Sequence, residues 1–286
     1  MPKTRKQRPL TQDELEELKR CSREFSYFAS YLKLNKDDQP IQWRDYQYKA
    51  FDVLQSYPRV MAKWCKHSGR RLVEAAYMLW FLTFRSAQFV VYSDTKISLG
   101  KKTMALMKRM YMNLPKWLQK KADFKKLYVQ FGEGYERNYM VLSGYAADTC
   151  RGRTITMLVC HDFHKVKQRI ADDYLASLLP VMCSGIPDRH HIIIDGMGCD
   201  DKHDFALMWE NCVKLPSLSK PDERNFVGLN VTYEKDVIKY THKNYRTTEA
   251  ELTYRLDYEC EFVETMPKMR KVFLPCDGLQ DMINCG

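Results

Sequence analysis

The sequence predicts an α/β fold with a central, mainly parallel sheet covered by helices on both faces. Three observations predict it. Short apolar runs alternate with amphipathic stretches along most of the chain, the pattern of strands joined by crossover helices. The stretch Arg59–Trp80, RVMAKWCKHSGRRLVEAAYMLW, holds one such unit complete. It has an apolar run at Val60–Trp64 and a polar loop at Cys65–Gly69, then Leu72, Ala75, Ala76, Leu79 and Trp80 at helical spacing. Finally, 286 residues with 45% hydrophobic side chains suffice for the core of one large domain or two small ones.

Taken in order, residues 1–10 form a basic arm carrying Lys3, Arg5, Lys6 and Arg8 without an acid, and are expected to be disordered. Thr11 followed by Glu14 is a capping box that opens a helix running to about Leu34, with Leu15, Leu18, Phe25, Phe28 and Leu32 on its apolar side. Gln42–Ser56 reads as a helix after an extended entry. The Arg59–Trp80 unit follows, then a strand at Gln88–Tyr92, a helix at Ile97–Met112 and a short helix at Leu114–Gln119. Leu127–Phe131 and Tyr139–Leu142 are expected to pair as a hairpin around Gly132–Arg137. Ile155–Cys160 and His190–Asp195 are buried strands, followed by helices at Val166–Met182 and His203–Val213. Phe226–Val231 is a strand, and helices are expected near Glu234–Lys243 and Thr248–Leu256. Residues 265–286 read as a tail or linker. There is no internal repeat.

Composition narrows the function classes. No run approaches the ~18 apolar residues of a membrane span, and no apolar segment follows the basic N-terminus as in a secretory signal. The 10 Cys are dispersed without a CxxC pair, which suits reduced thiols in a cytosol. A net charge of +10 suggests an acidic partner, nucleic acid first, although basic proteins also use charge only for solubility. Lys101, Lys102, Lys108, Arg109, Lys116, Lys120, Lys121, Lys125 and Lys126 stand against the single acid Asp123, with Tyr111, Trp117 and Phe124 interleaved. That is a candidate phosphate-backbone surface, the competing reading being a solvated face. Cys160, His161 and His164 make a C-H-x-x-H cluster, but no fourth ligand is evident and Cys160 reads as the end of a buried strand, so no metal site is predicted.

Strand, tight loop and helix are also the layout of a phosphate-binding loop. Such a loop needs a Gly for close backbone approach, then a Lys for the phosphates and a hydroxyl for magnesium. Gly69 is present, but Arg70 stands where the Lys belongs, and Arg71 and Leu72 where the hydroxyl belongs. On these residues alone an ordinary strand-to-helix turn remains an open reading.

Further landmarks fall in order along the chain. They are Arg44-Asp45-Tyr46-Gln47, Lys66-His67-Ser68-Gly69-Arg70-Arg71, Asn113-Leu114-Pro115-Lys116-Trp117-Leu118, Arg151-Gly152 and the strand-end Met157–Phe163, MLVCHDF. Over roughly Leu10–Glu264 the chain thereby resembles the ATPase domain of the large terminase, the DNA-packaging motor of tailed bacteriophages. The resemblance implies a P-loop NTPase-like fold of the RecA/ASCE type over residues 11–264, with a small C-terminal lid at about 214–264. It implies nucleotide contacts from Tyr46, Gln47, Lys66, His67, Ser68, Gly69, Arg70 and Arg71, and catalytic roles for Asp162 and for Arg151 as an arginine finger acting in trans. A surface Arg in a turn remains the other reading of Arg151.

The chain departs from that pattern at the metal. The family's Asp-Glu strand end is His161-Asp162 here, and its hydroxyl-rich coupling stretch is Asp195-Gly196-Met197-Gly198-Cys199. Magnesium prefers oxygen ligands, so the sequence predicts weak ATP binding and poor Mg2+ retention. The resemblance reaches only the family's first domain, so no nuclease domain is expected within this sequence, which is read either as a natural short form or as one domain of a longer protein. The leading expectation is a terminase-like packaging protein with a degenerate ATPase, located in the host cytoplasm at the prohead or virion. Its expected partners are double-stranded DNA and, among proteins, the portal, the small terminase, an intact large terminase or another virion protein, with no membrane. The alternatives are an active ATP-driven translocase that uses Arg70 and Asp162, and a structural or regulatory virion protein that kept only the fold.

Overall fold

The computed structural model describes residues 9–146, 154–184, 190–215 and 225–231. Thr11 caps α1 (Gln12–Arg23) through the expected reciprocal box with Glu14. The long first helix expected from the sequence is two helices. Glu24 is extended, and α2 (Phe25–Ala29) starts on a new axis. The cause is tertiary: Phe25 donates its backbone N–H to the Gln55 side chain at 2.7 Å, and the bend turns Phe25 and Phe28 into the core. Next come α3 (Asp45–Ser56), β1 (Arg59–Trp64), α4 (Arg70–Phe84), β2 (Phe89–Ser93) and α5 (Ile97–Asn113). The expected short helix after α5 is a single 3-10 turn, Lys116–Leu118.

The remaining elements are β3 (Ala122–Phe124), β4 (Tyr128–Phe131), β5 (Asn138–Ser143), β6 (Met157–Cys160), α6 (Gln168–Ser184), β7 (His191–Gly196), α7 (Asp204–Glu210), β8 (Val213–Lys214) and β9 (Val227–Val231). The expected hairpin is present as the antiparallel pair β4–β5. Two short strands escape sequence reading, β3 on one edge and β8 on the other. The latter takes the last residues that the helical pattern had assigned to α7.

These residues form a nine-stranded sheet in the order β3-β4-β5-β2-β6-β7-β1-β9-β8. Every pairing from β5 to β8 across that order is parallel, and only β3–β4 and β4–β5 are antiparallel. Strand residues alternate between two apolar layers, as the two-residue period of a strand requires. Val60, Ala62 and Trp64 of β1 and Met157 and Val159 of β6 join the layer of α1–α5. Met61, Leu158, Cys160, Ile192 and Ile194 join the layer under α6 and α7. The parallel register puts the C-terminal ends of β1, β2, β6 and β7 along one edge, where open parallel sheets place their ligand sites. No helix of the described residues is long and apolar enough to cross a membrane.

The basic arm, Arg151 and most of the expected lid and tail lie outside the described residues.

Candidate functional site

The loop after β1 enters α4 through Gly69, which adopts φ +76° and is the helix N-cap without any side-chain cap. A left-handed backbone here favours Gly, and a second constraint adds to it. A Cβ at this position would stand 2.6 Å from Gln47 Nε2. Gln47 is buried on α3. Its amide nitrogen donates to the Ser68 carbonyl at 3.0 Å, and its oxygen accepts from the Arg44 backbone at 2.9 Å. Both ends of that amide are therefore engaged with protein, and Gln47 fastens the loop to the helix before it. Tyr46 beside it packs against the core edge. Ser68 is buried and donates its hydroxyl to the Cys65 carbonyl at 2.7 Å. His67 is exposed at φ 63°, and Lys66 is half-buried next to it.

The two arginines at the helix start do not point at open space. Arg70 ion-pairs with Asp162, and its Nη1 lies 2.9 Å from Asp195 Oδ1. Arg71 reaches Asp94 Oδ2 at 2.9 Å and donates to the Leu99 carbonyl and the Thr103 hydroxyl at 3.1 and 3.2 Å. Asp94 directly follows β2, Asp162 lies two residues beyond β6, and Asp195 is the penultimate residue of β7. Each acid is thus delivered to the same edge by a parallel strand, with one strand, β7, standing between β1 and β6.

Asp162 has φ 56°, receives the Lys165 ammonium at 2.9 Å, and donates its backbone N–H to Asp195 Oδ1 at 2.9 Å. Burial alone would raise its carboxyl pKa. Arg70, followed by His161, His164 and Lys165, more than offsets that and holds the group well below the usual carboxylate range. His164 is shifted the other way from a charged imidazole: burial pushes it well below its ordinary value, against the pull of Asp162.

Behind Arg70 lies a second constellation. His161 Nδ1 is 2.8 and 3.0 Å from the two carboxylate oxygens of Glu74 and 3.1 Å from Asp195 Oδ2. The Tyr92 hydroxyl donates to Glu74 at 3.2 Å, accepts from Thr103 at 2.9 Å, and its ring stacks on His161. Glu74, His161 and Asp195 are all buried.

Sequence reasoning placed Gly69, Arg70, Arg71 and Asp162 together, and the structure unites them. It missed Glu74 and Asp94, and assigned Asp195 no role. The available signal was an acid at or just past the end of successive apolar runs, and one acid inside the apolar helix Leu72–Leu79. The basic stretch is less uniform than its composition suggests. Lys120 donates to the Arg85 carbonyl, Lys121 pairs with Glu133, Lys125 pairs with Asp123, and Arg109 binds Leu34 and Asn35. Lys102, Lys108 and Lys126 are exposed, and Lys101 is half-buried.

No protein-family model matches the sequence, and no curated protein sequence matches it. Solved structures do. The large terminase of bacteriophage HK97 superposes with a TM-score of 0.65 at 13% identity, over 85% of this chain and 55% of that one. The isolated large-terminase ATPase domain of Thermus phage P74-26 matches at TM-score 0.56 and 12% identity, over 78% of this chain and 94% of that one. The large terminase of a thermophilic bacteriophage, in complex with ADP, matches at TM-score 0.52 and 14% identity, over 89% of this chain and 54% of that one. The fold is that of a large-terminase ATPase domain. The chain spans about half the length of the full large terminases it matches. The thermophilic phage protein was also solved with ATP-gamma-S.

As a site for a nucleotide phosphate and for a Mg2+ ion, the residues here suit the two unequally. The uncapped N-terminus of α4 retains the backbone frame that receives phosphates at a helix start. Magnesium prefers oxygen ligands, and here Arg71 and Leu72 supply no hydroxyl while His161 offers nitrogen.

Proposed function

We propose that this protein is a terminase-large-subunit-like component of phage DNA packaging whose own ATPase is degenerate, acting in the host cytoplasm at the prohead or virion. One observation carries the reading: the site's cations and acids neutralise one another. Arg70, at the phosphate-binding position, is held by Asp162 and Asp195, and Arg71, at the hydroxyl position, is held by Asp94. A nucleotide must therefore separate buried ion pairs before Arg70 can meet a phosphate, and it finds no hydroxyl to place magnesium. Phosphoryl transfer rests on positioning and on metal neutralisation of charge, so turnover is expected to be absent or very slow. ATP binds weakly if at all, through Gly69, Arg70 and backbone N–H groups.

The partners follow from the same reading. Double-stranded DNA is met by the Lys101–Lys126 surface. Portal, small terminase, an intact large terminase or another virion protein is the protein partner. Arg151 serves a neighbouring subunit's nucleotide, since charge stabilisation in trans needs a positioned guanidinium and no working site behind it.

Steady-state phosphate release with saturating ATP, Mg2+ and DNA tests the reading, together with thermal shift by ATP with and without Mg2+. Background release and a small, magnesium-independent shift are expected. Turnover near one per second, abolished by Asp162→Asn, would reverse it in favour of an active translocase.

A further inference from the structure

We infer that Glu74, His161 and Asp195 form a buried binding site for a transition-metal cation, of the Zn2+ or Mn2+ class. Their ligand atoms all lie within 4.8 Å of one another, and all three side chains are buried. The set gathers round one imidazole nitrogen rather than along a chain of contacts. Both Glu74 oxygens and Asp195 Oδ2 lie 2.8–3.1 Å from the same nitrogen, His161 Nδ1. That nitrogen carries at most one proton, which cannot be aligned with three oxygens at once. A cation about 2.1 Å from each of two ligands at right angles, as in an octahedral shell, leaves those ligands about 3.0 Å apart, so the Glu74–His161 and His161–Asp195 spacings match two edges of such a shell.

Charge points the same way. Asp94 has Arg71, and Asp162 and Asp195 share Arg70, with Lys165 on Asp162 as well. Glu74 has no Lys or Arg partner among the described residues, and its contacts are the Tyr92 hydroxyl and His161. A buried carboxylate without a fixed positive charge is costly.

The surroundings already hold the ligands as metal sites require. Tyr92 orients Glu74 and is itself held by Thr103, while the Asp162 N–H fixes the other oxygen of Asp195. One imidazole nitrogen and two carboxylates favour Zn2+, Mn2+ or Fe2+ over Mg2+. The cation would tie α4, β6 and β7 together behind the phosphate-type loop. This inference does not depend on whether the loop binds nucleotide.

The test starts from the full chain as purified, and after incubation with Zn2+, Mn2+, Co2+ or Mg2+ and removal of unbound ion. About one equivalent of a transition ion per chain, and little Mg2+, is expected on elemental analysis, with the melting temperature falling under a strong chelator. In the Mn2+ form, spin-echo modulation should report a directly bound nitrogen. Glu74→Gln is expected to weaken retention at least tenfold. Where that variant fails to fold, the nitrogen coupling of the native protein decides. No retained transition ion, or retained Mn2+ without nitrogen coupling, overturns the inference and leaves His161 as an imidazole hydrogen-bonded between two carboxylates.

Discussion

Arg70, the first residue of α4, and Asp195, near the end of β7, are ion-paired at 2.9 Å at the C-terminal edge of the sheet, and Asp195 is fully buried. The contact joins the helix that follows the loop to the strand beside β1. It makes Arg70 a structural residue as well as a candidate phosphate ligand.

Arg70→Ala should therefore destabilise the fold strongly, because Asp195 loses its Lys or Arg partner and Asp162 keeps only Lys165. Breaking one side of a buried pair costs roughly 3–5 kcal/mol. Arg70→Lys should recover part of this, since an ammonium is a point charge without the planar fork. Denaturant unfolding with unchanged slope is the measurement. A loss below about 1 kcal/mol for the alanine variant would show that Asp162 and Asp195 are not held through Arg70.

Acid should weaken the protein in two stages. His164 has a folded pKa well below 6.5, so the unfolded chain takes up a proton first and stability falls as pH drops through about 6.5. The Asp162 carboxyl is depressed in the fold, so its contribution is complete above its unfolded value near 4 and is lost as pH falls further. Melting temperature against pH should show both limbs, and His164→Gln should remove the upper one.

Gly69→Ala should cost about 1–3 kcal/mol, from a left-handed φ and from the 2.6 Å approach to Gln47. Gln47→Ala removes the obstacle but also the bond to the Ser68 carbonyl. The double variant should therefore lose less than the sum of the two singles, as expected for touching residues. Additive losses would mean that Gln47 and the loop are independent.

If the basic surface meets DNA phosphates, the effects should sort by engagement. Replacing Lys102, Lys108 and Lys126 by Gln should flatten the dependence of log affinity on log salt, by slightly less than one unit for each phosphate no longer neutralised. Lys121→Gln and Lys125→Gln should matter less, because each already has an acidic neighbour. An unchanged slope in the triple variant would remove this face as the DNA surface.

Much of the architecture was legible because its signals are local. The Thr11–Glu14 box, the apolar run of β1 and the β4–β5 hairpin all follow from neighbours in sequence. The bend at Glu24 was not, because it depends on Gln55, which lies in α3. Strands β3 and β8 are three and two residues long, too short to show a period. At the site, the order of Gly69 and Arg70 could be read directly. What Arg70 and Arg71 do could not, because their acids arrive on three separate strands and become neighbours only through the sheet order.

The shared hold of Arg70 on two acids also has a consequence for descent. Residues 70 and 71 are tied to their acids, so neither can be exchanged alone without loss. Lysine at 70 alone weakens the grip on Asp162 and Asp195, and a hydroxyl residue at 71 alone leaves Asp94 facing no cation. Each single exchange is expected to be less stable than its starting point, so these positions change together or not at all while the surface stays free to drift.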